Sequence, residues 1–187
     1  DELAEDYRID TRRIYSTGIS NGGFFSFRLA CELSDRIAAV APVAAFMGEA
    51  LAGKCSPPRP VAVMMIVGTD DPFVSWEGGR VGTARNDRGR CLSAAATISF
   101  WVEADGCSAL PTVSYEPDTD PQDGMRVRRE TYPGGRDGTE VVMLAVEGGG
   151  HTWPGGKQYM RESVIGKTCR DIDAGEVIWE FFQAHRL

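Results

Sequence analysis

Residues 18–22, Gly-Ile-Ser-Asn-Gly, fit the G-x-S-x-G pattern in which a serine occupies a sharp turn between a strand and a helix. Glycines two before and two after Ser20 let the backbone bend without Cβ clashes. The hydroxyl would then project at a helix N-terminus, where oxyanions are favoured. A serine hydroxyl becomes a nucleophile near neutral pH only beside a base, and the base needs a third group to fix its tautomer. The chain holds 2 histidines. His185, two residues from the C-terminus, reads as a surface or helix-end residue suited to the helix dipole. His151 stands in the glycine-rich stretch 147–156 (Glu-Gly-Gly-Gly-His-Thr-Trp-Pro-Gly-Gly), a mobile and exposed position suited to proton transfer. Asp70-Asp71-Pro72 follows an apolar run directly, where open α/β sheets place functional groups, although Asp-Asp-Pro is also ordinary turn chemistry.

The elements that must position these groups can be read from periodicity. Residues 12–17 form an expected strand into the serine turn, and Phe24 to Leu33 an expected helix out of it. Ile37 to Val43, Val61 to Val67 and Glu140 to Val146 are apolar runs of the kind buried on both faces of a parallel sheet. Leu92 to Asp105 and Ile172 to His185 read as helices, the first ended by Gly106. Thr112 to Tyr115 and Arg126 to Tyr132 are strand candidates joined by the turn-rich 117–124. Residues 47–60 read as an irregular excursion, 78–90 as a polar surface loop, and 1–7 as the tail of a helix. The expected fold class is α/β, with a mostly parallel sheet flanked by helices.

Composition narrows the functional classes. With 187 residues, 42% hydrophobic and 25% charged, the chain suits one globular domain. A net charge of -7 disfavours nucleic acid or an anionic membrane surface as partner, and no apolar run is long enough for a membrane span. The five cysteines are scattered, with no Cys/His cluster of metal spacing, so no metal is expected. One or two disulfides in an oxidising compartment, or buried thiols in a reducing one, both fit.

Ser20, Asp71 and His151, each after an expected strand, follow the chain order Ser, Asp, His of α/β-hydrolases. The blocks Gly18-Ile-Ser-Asn-Gly-Gly23, Gly68-Thr-Asp-Asp-Pro-Phe-Val74 and Gly148-Gly-Gly-His-Thr-Trp-Pro-Gly155 resemble those of the polyhydroxybutyrate depolymerase/feruloyl esterase-like family of α/β-hydrolases. The similarity extends to residues 29–36, 41–44 and 178–182, and so over nearly the whole chain. It implies a single α/β-hydrolase catalytic domain over 1–187, secreted or periplasmic and free of cofactors, that cleaves carboxylic esters of polyhydroxyalkanoate or feruloyl type, small or polymeric. It implies Ser20 as nucleophile, His151 as base and acid, Asp71 rather than Asp70 as orienting carboxylate, and the Asn21 N–H as oxyanion donor. Trp76 and Trp153, beside the expected catalytic loops, are candidate substrate-binding residues. A non-catalytic binding module and an acyltransferase are the alternatives on this fold.

Two departures from the family pattern stand out. Val67 occupies a position where the family usually has histidine. The family's first strands and His-Gly loop, which supplies a second oxyanion donor, have no counterpart before Asp1. The expectation is therefore an N-terminally incomplete domain whose residues 14–17 form an under-protected sheet edge.

Overall fold

The computed structural model describes residues 2–83 and 86–187. In chain order the first elements are α1 (Glu2–Asp6), β1 (Tyr15–Ile19), α2 (Asn21–Glu32), β2 (Ala39–Val43), α3 (Glu49–Ala52) and β3 (Ala62–Gly68). They are followed by β4 (Gly79–Thr83), β5 (Asn86–Cys91), α4 (Ala94–Asp105), β6 (Thr112–Tyr115) and β7 (Arg126–Tyr132). A 3₁₀ turn, β8 (Val141–Glu147), α5 (Glu162–Ile165) and α6 (Ala174–Ala184) complete the chain.

Six strands form one sheet in the order β1-β2-β3-β8-β7-β6. The first four are parallel, and β7 and β6 continue antiparallel. Every residue of β2 and β3 is buried, as continuous apolar runs covered on both faces require. Alternation along β3 divides the core. Val63, Met65 and Val67 pack with Phe27 of α2 and Trp101 of α4, whereas Met64 and Ile66 pack with Ile178, Phe181 and Phe182 of α6. The result is a three-layer α/β structure with a mostly parallel central sheet. Strand β1 pairs only with β2, is half-buried, and forms one edge of the described sheet.

Several boundaries differ from the sequence reading for local reasons. Strand β1 begins at Tyr15 rather than residue 12, because Arg12 N–H donates to Asp10 Oδ1 and Arg13 N–H to the Asp10 carbonyl, closing a turn. Helix α2 starts at Asn21, immediately after the serine. The excursion at 47–60 contains the single turn α3. The stretch 78–90, expected as a loop, is mostly the antiparallel hairpin β4–β5; residues 84 and 85 within it lie outside the described residues, as does Asp1 at the start of the 1–7 helix. His185 is not a surface residue: it caps α6 with its ring buried, 4.5 Å from the Phe181 ring and with Nε2 3.5 Å from Glu140 Oε1.

The open cysteine question resolves to one disulfide, Cys31–Cys55, which ties the end of α2 to the segment before β3. Cys91, Cys107 and Cys169 are free thiols. The bridge spans 24 positions, a loop whose closure is worth about 3 kcal/mol in the chain-entropy account. The double variant C31A/C55A should therefore unfold with a free energy lower by about 3 kcal/mol in denaturant titration.

At the end of α4, Asp105 is fully buried; its Oδ1 accepts from Val61 N–H, while Oδ2 has no hydrogen-bond partner. Burial pushes its carboxyl up to about 7, against smaller opposing effects of the Val61 N–H and Arg136. A carboxyl raised on folding stabilises the fold relative to its ionised form below the unfolded pKa of about 4, and that contribution is lost as pH rises through about 7. The stability difference between wild type and Asp105→Asn should shift in the variant's favour from pH 4 to 7 and stay level above, as measured by urea unfolding at each pH.

Candidate active site

Ser20 stands between β1 and α2 as the N-cap of α2, with φ 55° and ψ −115°, a conformation rare for a residue with a side chain. The surroundings hold it there. Ser20 N–H donates to the Val43 carbonyl at the end of β2, and Phe24 N–H returns to the Ser20 carbonyl as the first turn of α2. The glycines act differently from one another. A Cβ on Gly18 would come within 2.8 Å of Gly22 Cα, and one on Gly23 within 2.7 Å of Ala45 Cβ, whereas one on Gly22 would meet open space. The turn thus needs Gly18 because the Gly22 backbone crosses it, and Gly23 because α2 lies against the end of β2. At the first position of α2 the Asn21 N–H has no intrahelical acceptor.

Asp71 follows β3 by three residues and is buried. Its Oδ1 accepts from the N–H groups of Phe73 (2.8 Å) and Val74 (2.9 Å), so the turn made by Asp71-Pro72-Phe73 fixes the carboxylate through its own backbone. Its Oδ2 accepts from His151 Nδ1 at 2.7 Å. Asp70 is exposed and accepts from the Thr69 hydroxyl instead. The sequence neighbours therefore divide, one facing water and one holding the imidazole.

His151 is buried at 5% exposure, not on the exposed, mobile loop that its glycines suggested. Those glycines serve close packing. A Cβ on Gly68 would overlap the Gly149 carbonyl, and a Cβ on Gly150 would overlap the Ile165 carbonyl and Gly166. His151 N–H donates to the Ile165 carbonyl, its carbonyl accepts from the Tyr159 hydroxyl, and its ring meets the edge of Phe73 at 5.2 Å between centroids. With Nδ1 committed to Asp71, Nε2 is the ring nitrogen left for other work.

Ser20 and His151 line one cavity of about 320 Å³ together with Phe73, Val81 and Arg88. Ser20 also lines a second, of about 530 Å³, with Asn21, Phe24 and Leu51. Hairpin residues Val81 and Arg88 belong to both cavities and went unnoticed in the sequence, as did Phe73, whose place after Asp-Asp-Pro was the one available signal. Neither tryptophan is among the residues lining these cavities. Trp76 packs edge-on to Phe46 and lines a separate cavity beside α4, and Trp153 packs against the core layer under α6. Among the described residues no group of three or more His, Cys, Asp or Glu could hold a metal ion, and no helix is long and apolar enough to cross a membrane.

No protein-family model matches the chain. It is 33% identical over 189 residues to a protein named Putative esterase NocK from Nocardia uniformis subsp. tsuyamanensis, covering 97% of this chain and 54% of that protein. It is 30% identical over 158 residues to Feruloyl esterase B of Piromyces equi, covering 83% of this chain and 28% of the relative. Over 143 residues it is 32% identical to Feruloyl esterase D of Neurospora crassa, covering 76% and 41%. The chain thus spans about half or less of the length of these relatives. A crystal structure of a thermostable esterase superposes on the whole chain and 34% of its own, with a TM-score of 0.53 at 16% identity, a likeness of fold. By sequence and by fold, the chain belongs to an esterase-like family of the α/β-hydrolase type.

Proposed function

We propose that this chain carries the catalytic centre of a serine carboxylic ester hydrolase. The observation that supports it most is the buried 2.7 Å hydrogen bond from His151 Nδ1 to Asp71 Oδ2, at a cavity that Ser20 also lines. In this reading His151 Nε2 takes the Ser20 proton as Oγ attacks the ester carbonyl. Charge developing on the carbonyl oxygen is met by the Asn21 N–H and the N-terminal end of α2. The alcohol leaves with the proton from His151, and water repeats the sequence on the acyl-enzyme with the roles reversed. Asp71 holds the imidazole in the tautomer that keeps Nε2 unprotonated and supports the imidazolium that forms.

The relatives named feruloyl esterases support an aromatic ester among the substrates, and Phe73, edge-on to His151, offers an apolar surface for one. The Cys31–Cys55 disulfide favours an oxidising compartment.

Ser20→Ala in the full-length protein should lower kcat/KM for a short 4-nitrophenyl ester by at least about 10⁴-fold and abolish labelling by a fluorophosphonate probe. Retained labelling would remove Ser20 from the mechanism. Asp71→Asn should leave the fold intact and lower kcat by about 10³–10⁴-fold, since the amide favours the wrong imidazole tautomer. Gly68→Ala should act on His151 from a distance by pushing back the Gly149–Gly150 backbone. We expect kcat reduced on the order of 10²-fold, measured beside the melting temperature so that misplacement is separated from unfolding.

A further inference from the structure

The cavities flanking Ser20 differ in charge from the molecule around them. The chain carries 27 acidic and 20 basic residues, yet among the described residues lining the two cavities there is no aspartate or glutamate, while Arg28, Arg88 and Arg90 are there. A guanidinium whose charge is not met by a neighbouring carboxylate gives a cleft a local positive potential. The site therefore presents an anion-attracting surface on an anionic protein.

The three arginines are not equivalent. Arg28 Nε is 2.9 Å from Glu32 Oε1, and Arg90 Nε is 3.0 Å from Glu49 Oε2. Even Arg80, on the facing strand of the hairpin, has Asp87 Oδ2 at 3.4 Å. Arg88 alone of these four has no carboxylate partner among the described residues, and it alone lines both cavities. Its placement follows from the hairpin: Val81 is buried beneath, and Gly82, with φ +96°, lets the two strands close together where an added Cβ would overlap the Asn86 carbonyl oxygen.

Resting on the ester-hydrolase reading, we propose that Arg88 is a specificity-determining residue that selects esters carrying an anionic group, a carboxylate in the first instance, close to the scissile bond. A guanidinium accepts a planar carboxylate through two parallel N–H donors, which fixes orientation as well as charge. Because Arg88 borders both cavities that Ser20 lines, the anion belongs to either the acyl or the alcohol portion, and each portion has its own assay.

The test compares matched pairs in the full-length protein. For the acyl side, kcat/KM for 4-nitrophenyl hydrogen adipate is divided by that for 4-nitrophenyl hexanoate. For the alcohol side, 4-acetoxybenzoate is divided by phenyl acetate. Taking wild type and variant as a ratio of these ratios cancels intrinsic ester reactivity. In Arg88→Gln the anionic preference should fall about tenfold in one of the two arms, which identifies the side, and Arg88→Lys should restore part of it. The wild-type preference should also weaken as salt is raised from about 0.05 to 0.5 M. Turnover of the neutral esters with both ratios unchanged in Arg88→Gln would overturn the inference and leave the esterase reading standing. Absence of turnover of all four esters by the wild type would overturn both.

Discussion

An ionised carboxyl group shut away from water is costly unless its lone pairs are occupied, and the Asp71 carboxyl is occupied from two directions that nothing in the local sequence brings together. Two donors come from its own turn, at Phe73 and Val74; the third, His151 Nδ1, is 80 residues further along the chain. That third bond requires the ends of β3 and β8 to lie side by side at one rim. They do so because Val63 to Gly68 of β3 runs parallel to and in register with Val141 to Val146 of β8. The hydrogen bond is therefore a readout of strand register, since a one-residue slip would turn every side chain to the opposite face.

Parallel pairing also explains why the glycines around the site are where they are. The Gly149 and Gly150 backbone passes so close to Gly68 that a methyl group has no room, and Gly150 is pressed equally by Ile165 and Gly166. Flexibility is the usual meaning of three consecutive glycines, but here they let a loop pack as densely as a strand. His151 gains burial and a fixed ring plane from it. An imidazole held this way loses little entropy on accepting a proton, which is what the proposed role of general base would draw on.

Much of this architecture was legible in the residues because burial on two faces leaves a plain signature. The runs at β2, β3 and β8, and the helices α4 and α6 with the Gly106 stop, fall within two residues of their expected places. The hairpin β4–β5 had no such signature. Val81 and Cys91 are its buried described residues, and its glycines and charges read as loop because a ribbon wet on both faces has no apolar alternation to display. The burial of His151 and His185 was equally hidden, since each depends on contacts with segments distant in sequence. The choice between Asp70 and Asp71 came from family resemblance, and the turn geometry that separates them is visible only in three dimensions.

The strained conformation at Ser20 is tolerated for a reason that links the sheet to the chemistry. Strain of this kind, on the order of 1–3 kcal/mol, persists only where neighbouring structure over-determines the backbone. Five consecutive pairings of β1 with β2, from Tyr15–Ala39 to Ile19–Val43, deliver the chain to the turn. The Ser20 N–H then bonds to the last residue of β2, and α2 leaves at once with Gly23 against Ala45. A second strained residue, Ala44 at φ 48°, sits directly after that anchor, with its N–H bonded to Ile66 of β3. Two rare backbone conformations thus stand at the adjacent ends of β1 and β2, each fastened to the next strand inward. A serine on a relaxed loop would be free to turn its hydroxyl away from the cavity, whereas one clamped between β2 and α2 has its backbone direction set in advance.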